Sequence, residues 1–219
     1  MREDRMYLSK ERINKFLNER EANNLNHVTH AALSDAKLLH EICLGIKSKP
    51  ETYRYNCYKV ILQMSKKHPE LLYPHWDYFC ELLKSPNAYH RMAAITVIAY
   101  LTSIDTEKKF ELIFDDFFQL LDDKSMIVAR YLAMSGGIIA GNKPVLRESI
   151  INKLLNIDAA HHTEERKDLI KHDIIQTIHL LFEMLTEKEK IISFVEKQIN
   201  CSSPKTRRAA KTFVEKWKR

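Results

Sequence analysis

Six side chains of metal-ligand type crowd into His161-His-Thr-Glu-Glu-Arg-Lys-Asp-Leu-Ile-Lys-His172. On one continuous helix His161, Glu165, Asp168 and His172 would fall at i, i+4, i+7 and i+11 and share a face, and imidazoles with carboxylates are the donors a Zn²⁺-type ion takes. That arrangement needs the helix to begin before His161, and the next residue of the stripe, Gln176, is a poor ligand. A solvated connection and first helical turn, with acids near the positive end of the helix dipole, accounts for the same residues. No metal and no cofactor is expected.

A second chemistry-bearing cluster lies at the C-terminal end. From Lys197 to Arg219 eight basic residues face a single acid, Glu215, a net of +7 in a chain whose total is +6. The rest of the chain is therefore close to neutral. Lys205, Arg208, Lys211 and Lys216, interleaved with Phe213 and Trp217, have the character of a phosphate-backbone contact. They equally suit the solvated face of a terminal helix. Nucleophilic catalysis has no foothold: no GxSxG elbow, glycine-rich phosphate loop or HExxH occurs. Cys43, Cys57, Cys80 and Cys201 show no CxxC spacing, and Cys43 and Cys57 stand among apolar residues as small core side chains.

The elements that must position these groups follow a repeat. Arg54, Arg91, Arg130 and Arg207 are each followed three residues later by a small residue, at spacings of 37, 39 and 77. The double spacing predicts a degenerate copy near residue 169, and Lys171 with Ile174 supplies it. Aligned on the basic residue, the third position onward reads Cys57, Ala94, Ala133, Ile174, Ala210. The seventh reads Ile61, Ile98, Gly137, Ile178, Val214, and the tenth Met64, Leu101, Ala140, Leu181, Trp217. These three rows share one helix face and predict the core. The fifth row, Lys59, Thr96, Ser135, Gln176, Thr212, has no apolar member and predicts solvent.

An amphipathic helix precedes each of these. Pro69-Glu-Leu-Leu-Tyr-Pro-His-Trp-Asp-Tyr-Phe-Cys-Glu-Leu-Leu-Lys-Ser-Pro86, leading into His90-Arg-Met-Ala-Ala, shows the whole unit: a proline-interrupted helix, a Leu-Leu pair, a polar turn, then Arg and Ala. Leu120-Leu-Asp-Asp123 before Arg130 and Ser203-Pro204 before Arg207 repeat parts of the turn. Over roughly residues 28–219 the chain resembles the HEAT-repeat family. The resemblance implies an all-α, right-handed α-α superhelix (a solenoid) of about five helix pairs, preceded by a polar helix and connection in residues 1–27. The pairs should span roughly 28–47/52–67, 69–84/88–103, 106–121/125–140, 144–157/165–185 and 187–200/205–218. Ile13, Phe16 and Leu17 form the apolar stripe of the N-terminal helix, and Thr106 and Ser203 suit helix starts. The pattern departs from the family at Lys171, in the long polar connection 158–167, and at Gly136 and Gly137, where close helix approach would offset poor helix propensity.

In HEAT-like stacks the second helices line the concave side. The resemblance thus implies a partner surface from Tyr55, Lys59, Met92, Thr96, Tyr100, Tyr131, Ser135, Ile139 and Gln176, with His172 and Arg208 in the same rows. Tyr and Met give contact area with adaptability, so the expected function is non-catalytic: a binding or scaffold protein that recognises a protein segment. The alternative is nucleic-acid binding through the basic end. At its extreme this resembles the HEAT-like DNA alkylation-repair glycosylases, which use aromatic residues and an Asp. Trp76 and Asp77 are adjacent, however, and so point in different directions on a helix, while Trp217 falls in a core row. No apolar run approaches the ~18 residues of a membrane span, and Met1-Arg-Glu-Asp-Arg lacks a signal-peptide core. A cytoplasmic protein without membrane contact is the expectation.

Overall fold

In the computed structural model, residues 8–20 and 22–218 are described, and all their regular structure is helical. The chain divides at Tyr78/Phe79 into two compact units.

The first unit opens with α1 (Lys10–Asn18), started by the Ser9 hydroxyl, which accepts from Arg12 N at 3.3 Å. Ile13, Phe16 and Leu17 are buried, as their spacing requires. Helices α2 (Leu25–Ala32), α3 (Ala36–Gly45) and α4 (Glu51–Lys67) follow, and α1, α2 and α3 all pack on α4. The single helix expected over 28–47 is in fact two. Asp35 is extended, and its carboxylate accepts from Lys37 N and Leu38 N, so it starts a new helix rather than continuing the old one. The buried amide of Asn56 on α4 donates to the carbonyls of Leu17 and Glu19, which pins the end of α1 to this unit. The short α5 (Pro69–Leu72) begins on Pro69, and a 3-10 turn around Pro74 separates it from α6 (Trp76–Leu83), which crosses the unit boundary.

The second unit contains α7 (Ala88–Leu101), α8 (Lys109–Gln119), α9 (Met126–Asn142), α10 (Arg147–Leu155), α11 (Glu164–Leu181), α12 (Lys188–Glu196) and α13 (Pro204–Trp217). Here α7 packs on α9, α9 on α11 and α11 on α13, while α10 backs α9 and α12 backs α13. Ser203 caps α13 ahead of Pro204, as its position suggested. Thr106 does not start α8. Asp105 does so from farther back, accepting from Lys109 N and Phe110 N, and the chain reaches the helix through Lys108 at φ 58°.

The repeated basic residue has a structural task. Arg54 donates to the Ser48 and Lys49 carbonyls, Arg91 to Ser85, and Arg207 to Cys201 and Ser202. In these three cases the guanidinium closes the turn that precedes its own helix by satisfying the turn's own carbonyls, whereas Arg130 bonds Asp173. Lys171 performs the task differently: its ammonium reaches Asp158 Oδ1 at 2.6 Å and so ties down the long connection. In the second unit acids link one pair to the next. Asp123 holds Arg91 through two bonds of 2.6 and 2.8 Å, Asp173 holds Arg130 at 2.6 and 3.1 Å, and Asp168 accepts from Ser202 N and Oγ.

The third row is fully buried, with Cys57, Ala94, Ala133, Ile174 and Ala210 all at 0% exposure. In the outer rows Gly137, Val214 and Trp217 are only half-buried. The close-approach account of the glycine pair holds. A Cβ on Gly136 would meet Leu154 of α10 at 3.0 Å, and one on Gly137 would meet Thr177 of α11 at 3.0 Å.

Candidate binding groove

Helix α11 presents His172, Gln176 and His179 at i, i+4 and i+7, one stripe turned away from the core. Helix α13 presents Lys205, Arg208 and Thr212 at i, i+3 and i+7. The two stripes line an open groove of about 320 Å³, with Ala209 beneath them. Their alignment is fixed at one end by Asp168. Its carbonyl accepts from Thr206 Oγ1 at 2.6 Å, while its carboxylate holds Ser202.

The groove is electropositive and rich in donors. Lys205 and Arg208 are exposed, and among the described residues neither has an ion-pair or hydrogen-bond partner. His172 Nδ1 lies 3.1 Å from Asp173 Oδ1; a carboxylate only accepts, so the ring proton sits on Nδ1. The charge of Asp173 is already met by Arg130, so it does not offset the cations of the groove. His179 packs edge-on against Phe213 and Trp217. Burial, and then the nearby Lys216 ammonium, push its pKa below the ordinary 6.5. Lys216 itself lies over the Trp217 ring at 4.2 Å.

The structure thus joins residues that the sequence placed in two separate candidates. Gln176, with His172 in its neighbouring row, comes from the concave set; Lys205 and Arg208 come from the basic patch. Lys211 is exposed on α13 but does not line the groove. His179 lacked a signal, because its row otherwise holds no histidine, and Thr212 stood in the solvent row without being singled out.

The remainder of the expected partner surface is narrower than the rows implied. Met92, Thr96, Ser135 and Ile139 are buried, at 7%, 8%, 2% and 0% exposure. α7 is enclosed from Arg91 through Ala99, and the Thr96 hydroxyl is satisfied within its own helix by the Met92 carbonyl at 2.9 Å. Tyr100 and Tyr131 are half-buried. In the first unit Tyr55 is exposed with the Lys59 ammonium 4.3 Å above its ring. On α9 the uncovered side carries Ile127, Tyr131, Met134 and Ile138, at i, i+4, i+7 and i+11. Three of these four lie outside the rows aligned on the basic residue, because a helix apolar all round hides which stripe is outermost.

The metal-type residues His161, Glu165, Asp168 and His172 are not brought together. Helix α11 begins at Glu164, after His161, whose backbone N–H and ring both bond Asp122 at 2.6 Å. Asp168 is buried on Ser202, His172 turns to Asp173, and Glu165 faces solvent. Among the described residues no three His, Cys, Asp or Glu side chains are grouped to hold a metal. Trp76 is buried and Asp77 exposed, which separates that pair as helix geometry requires. Among the described residues no helix is long and apolar enough to cross a membrane.

Comparison with family models, with curated proteins and with solved structures finds no match to this chain.

Proposed function

We propose that this chain is a non-catalytic binding or scaffold protein, a HEAT-like α-solenoid whose second helices recognise a protein segment. The observation that carries this is the groove between α11 and α13, assembled from stripes on successive second helices more than thirty residues apart in sequence. The chain-order packing of α7, α9, α11 and α13, together with the turns that Arg91 and Arg207 close, supports the solenoid. On α9, which packs on α11, the exposed Ile127 and Met134 with the half-buried Tyr131 and Ile138 offer the apolar contact area a peptide needs.

A second reading, nucleic-acid binding, is favoured by Lys205 and Arg208 standing unpaired. Fluorescence anisotropy separates the two. A peptide selected from a random display library on the full chain should bind with little salt dependence and lose about tenfold in affinity in Tyr131→Ala. Binding of random-sequence DNA or RNA that falls steeply with salt, and is lost in a Lys205→Ala/Arg208→Ala variant, would replace this reading with the second.

A further inference from the structure

Five side chains around the α11–α13 groove can donate hydrogen bonds into it: Gln176, His179, Lys205, Arg208 and Thr212, while the Nδ1 proton of His172 goes to Asp173. None of the lining residues is acidic. Asp173, which bonds the lining residue His172, is held by Arg130. Lys205 and Arg208 therefore put two fixed positive charges on the groove with no negative partner among the described residues, and Lys216 adds to the field at the His179 end. Such a site is complementary to one compact anion with several acceptor oxygens. A carboxylate brings a single charge. A phosphoryl group brings about −1.5 to −2 and three strong acceptors, which matches two unpaired cations and a surplus of donors.

The surroundings indicate what carries that group. Lys205 and Arg208 lie on α13, whereas α9, which packs on the other groove helix α11, carries the exposed Ile127 and Met134 and the half-buried Tyr131 and Ile138 on its uncovered side. A nucleic-acid backbone asks for cations repeated along its track; one phosphoryl site, with apolar side chains uncovered on the next helix, suits a peptide. We propose that the α11–α13 groove binds the phosphoryl group of a phosphorylated protein segment, whose apolar flank lies along α9. Arg208 grips the phosphoryl oxygens through its planar fork, Lys205 supplies a point charge, and Gln176 and Thr212 fix its orientation. The assignment rests on the protein-segment reading above and adds the chemistry of the segment.

The test uses the full chain and four labelled probes in anisotropy titrations. These are a degenerate peptide library with a fixed central phosphoserine, its serine twin, its glutamate twin, and single-stranded DNA. The phosphorylated library is expected to bind at least about tenfold tighter than either twin, since charge-assisted hydrogen bonds of ~1.5–3 kcal/mol are at stake. Arg208→Ala and Lys205→Ala, both exposed and harmless to folding, should each remove most of that preference, and Lys211→Ala should keep it. Inorganic phosphate should shift the His172 and His179 imidazole resonances in the same protein. Equal affinity for the phosphoserine and serine libraries, with loss in Tyr131→Ala, would overturn the phosphoryl assignment and leave the protein-segment reading standing. Equal affinity for the glutamate twin would make the site a carboxylate site. Tight, salt-steep binding of the DNA, or no binding of any peptide, would overturn both.

Discussion

His179 shows how one side chain reports on its surroundings. Its ring is pressed against Phe213 and Trp217, and Lys216 lies close enough to act on its charge. Both effects disfavour the imidazolium, burial more than Lys216, so the folded pKa lies below the ordinary 6.5. The unfolded chain then binds this proton more readily than the folded one. His179 therefore costs stability as pH falls from above 6.5 toward the lowered folded value, and costs nothing on the alkaline side. An NMR titration should place its midpoint under 6.5. Lys216→Ala should raise that midpoint part of the way back, since burial remains. A midpoint at or above 6.5 in the intact protein would remove His179 from the electropositive wall. Asp122 illustrates the opposite sign: the N–H and ring of His161 hold its carboxyl below the usual range.

At the scale of elements, close approach decides which small residues are replaceable. The end of α3 lies so near α4 that a Cβ on Gly45 would come within 2.4 Å of Cys57 Sγ and 3.1 Å of its Cβ. Gly141, near the end of α9, has nothing within 4 Å of the same position. No glycine among the described residues has a positive φ, so backbone conformation does not distinguish them. Gly45→Ala should lower stability by about 1–3 kcal/mol through overpacking. Gly141→Ala should raise it by up to about 1 kcal/mol, the ordinary gain in helix propensity. Urea unfolding of the two variants checks both signs, and a neutral or stabilising Gly45→Ala would mean that α3 and α4 are not so tightly apposed. The same logic explains α9 and α11, where the Thr177 hydroxyl donates to the Ala133 carbonyl at 2.9 Å beside Gly137.

For the whole molecule, the division at Tyr78/Phe79 places two natural probes in the first unit. Cys43 and Cys57 are buried, and burial foremost pushes each thiol up to about 12. At neutral pH the thiolate that attacks an alkylating agent is then present at roughly one part in 10⁵. Neither cysteine is in a disulfide. In native protein a maleimide should leave both unmodified, and both should react when the first unit opens in denaturant. Mass-spectrometric mapping of the labelled peptides reads this directly; rapid native labelling of Cys57 would contradict the packing of α3 on α4. The second unit has no such pair; its helices are linked by Asp123 to Arg91, both nearly buried, and removing one partner would leave a costly unpaired charge.

The sequence alone determined the helical character and the third-position core row, because burial on a helix imposes a period that survives in residue types. It also located the repeated cation without revealing its task, since the carbonyls it satisfies lie in a turn whose shape depends on backbone geometry. The break at Asp35 was legible only as a capping residue within an apolar run, and the late start of α8 depended on Asp105 reaching forward past three residues. The tertiary structure decided which polar positions are surface. Thr96 and Ser135 look solvent-facing by type, yet neighbouring helices cover them, and a satisfied hydroxyl such as that of Thr96 makes such burial inexpensive. It also decided the groove. His172 and Gln176 belong to one helix, Lys205 and Arg208 to another, and only the packing of α11 on α13, locked by Asp168, sets them around one space. Periodicity encodes each helix's own faces; the meeting of two faces depends on interhelical distance and rotation, which no single helix's pattern contains.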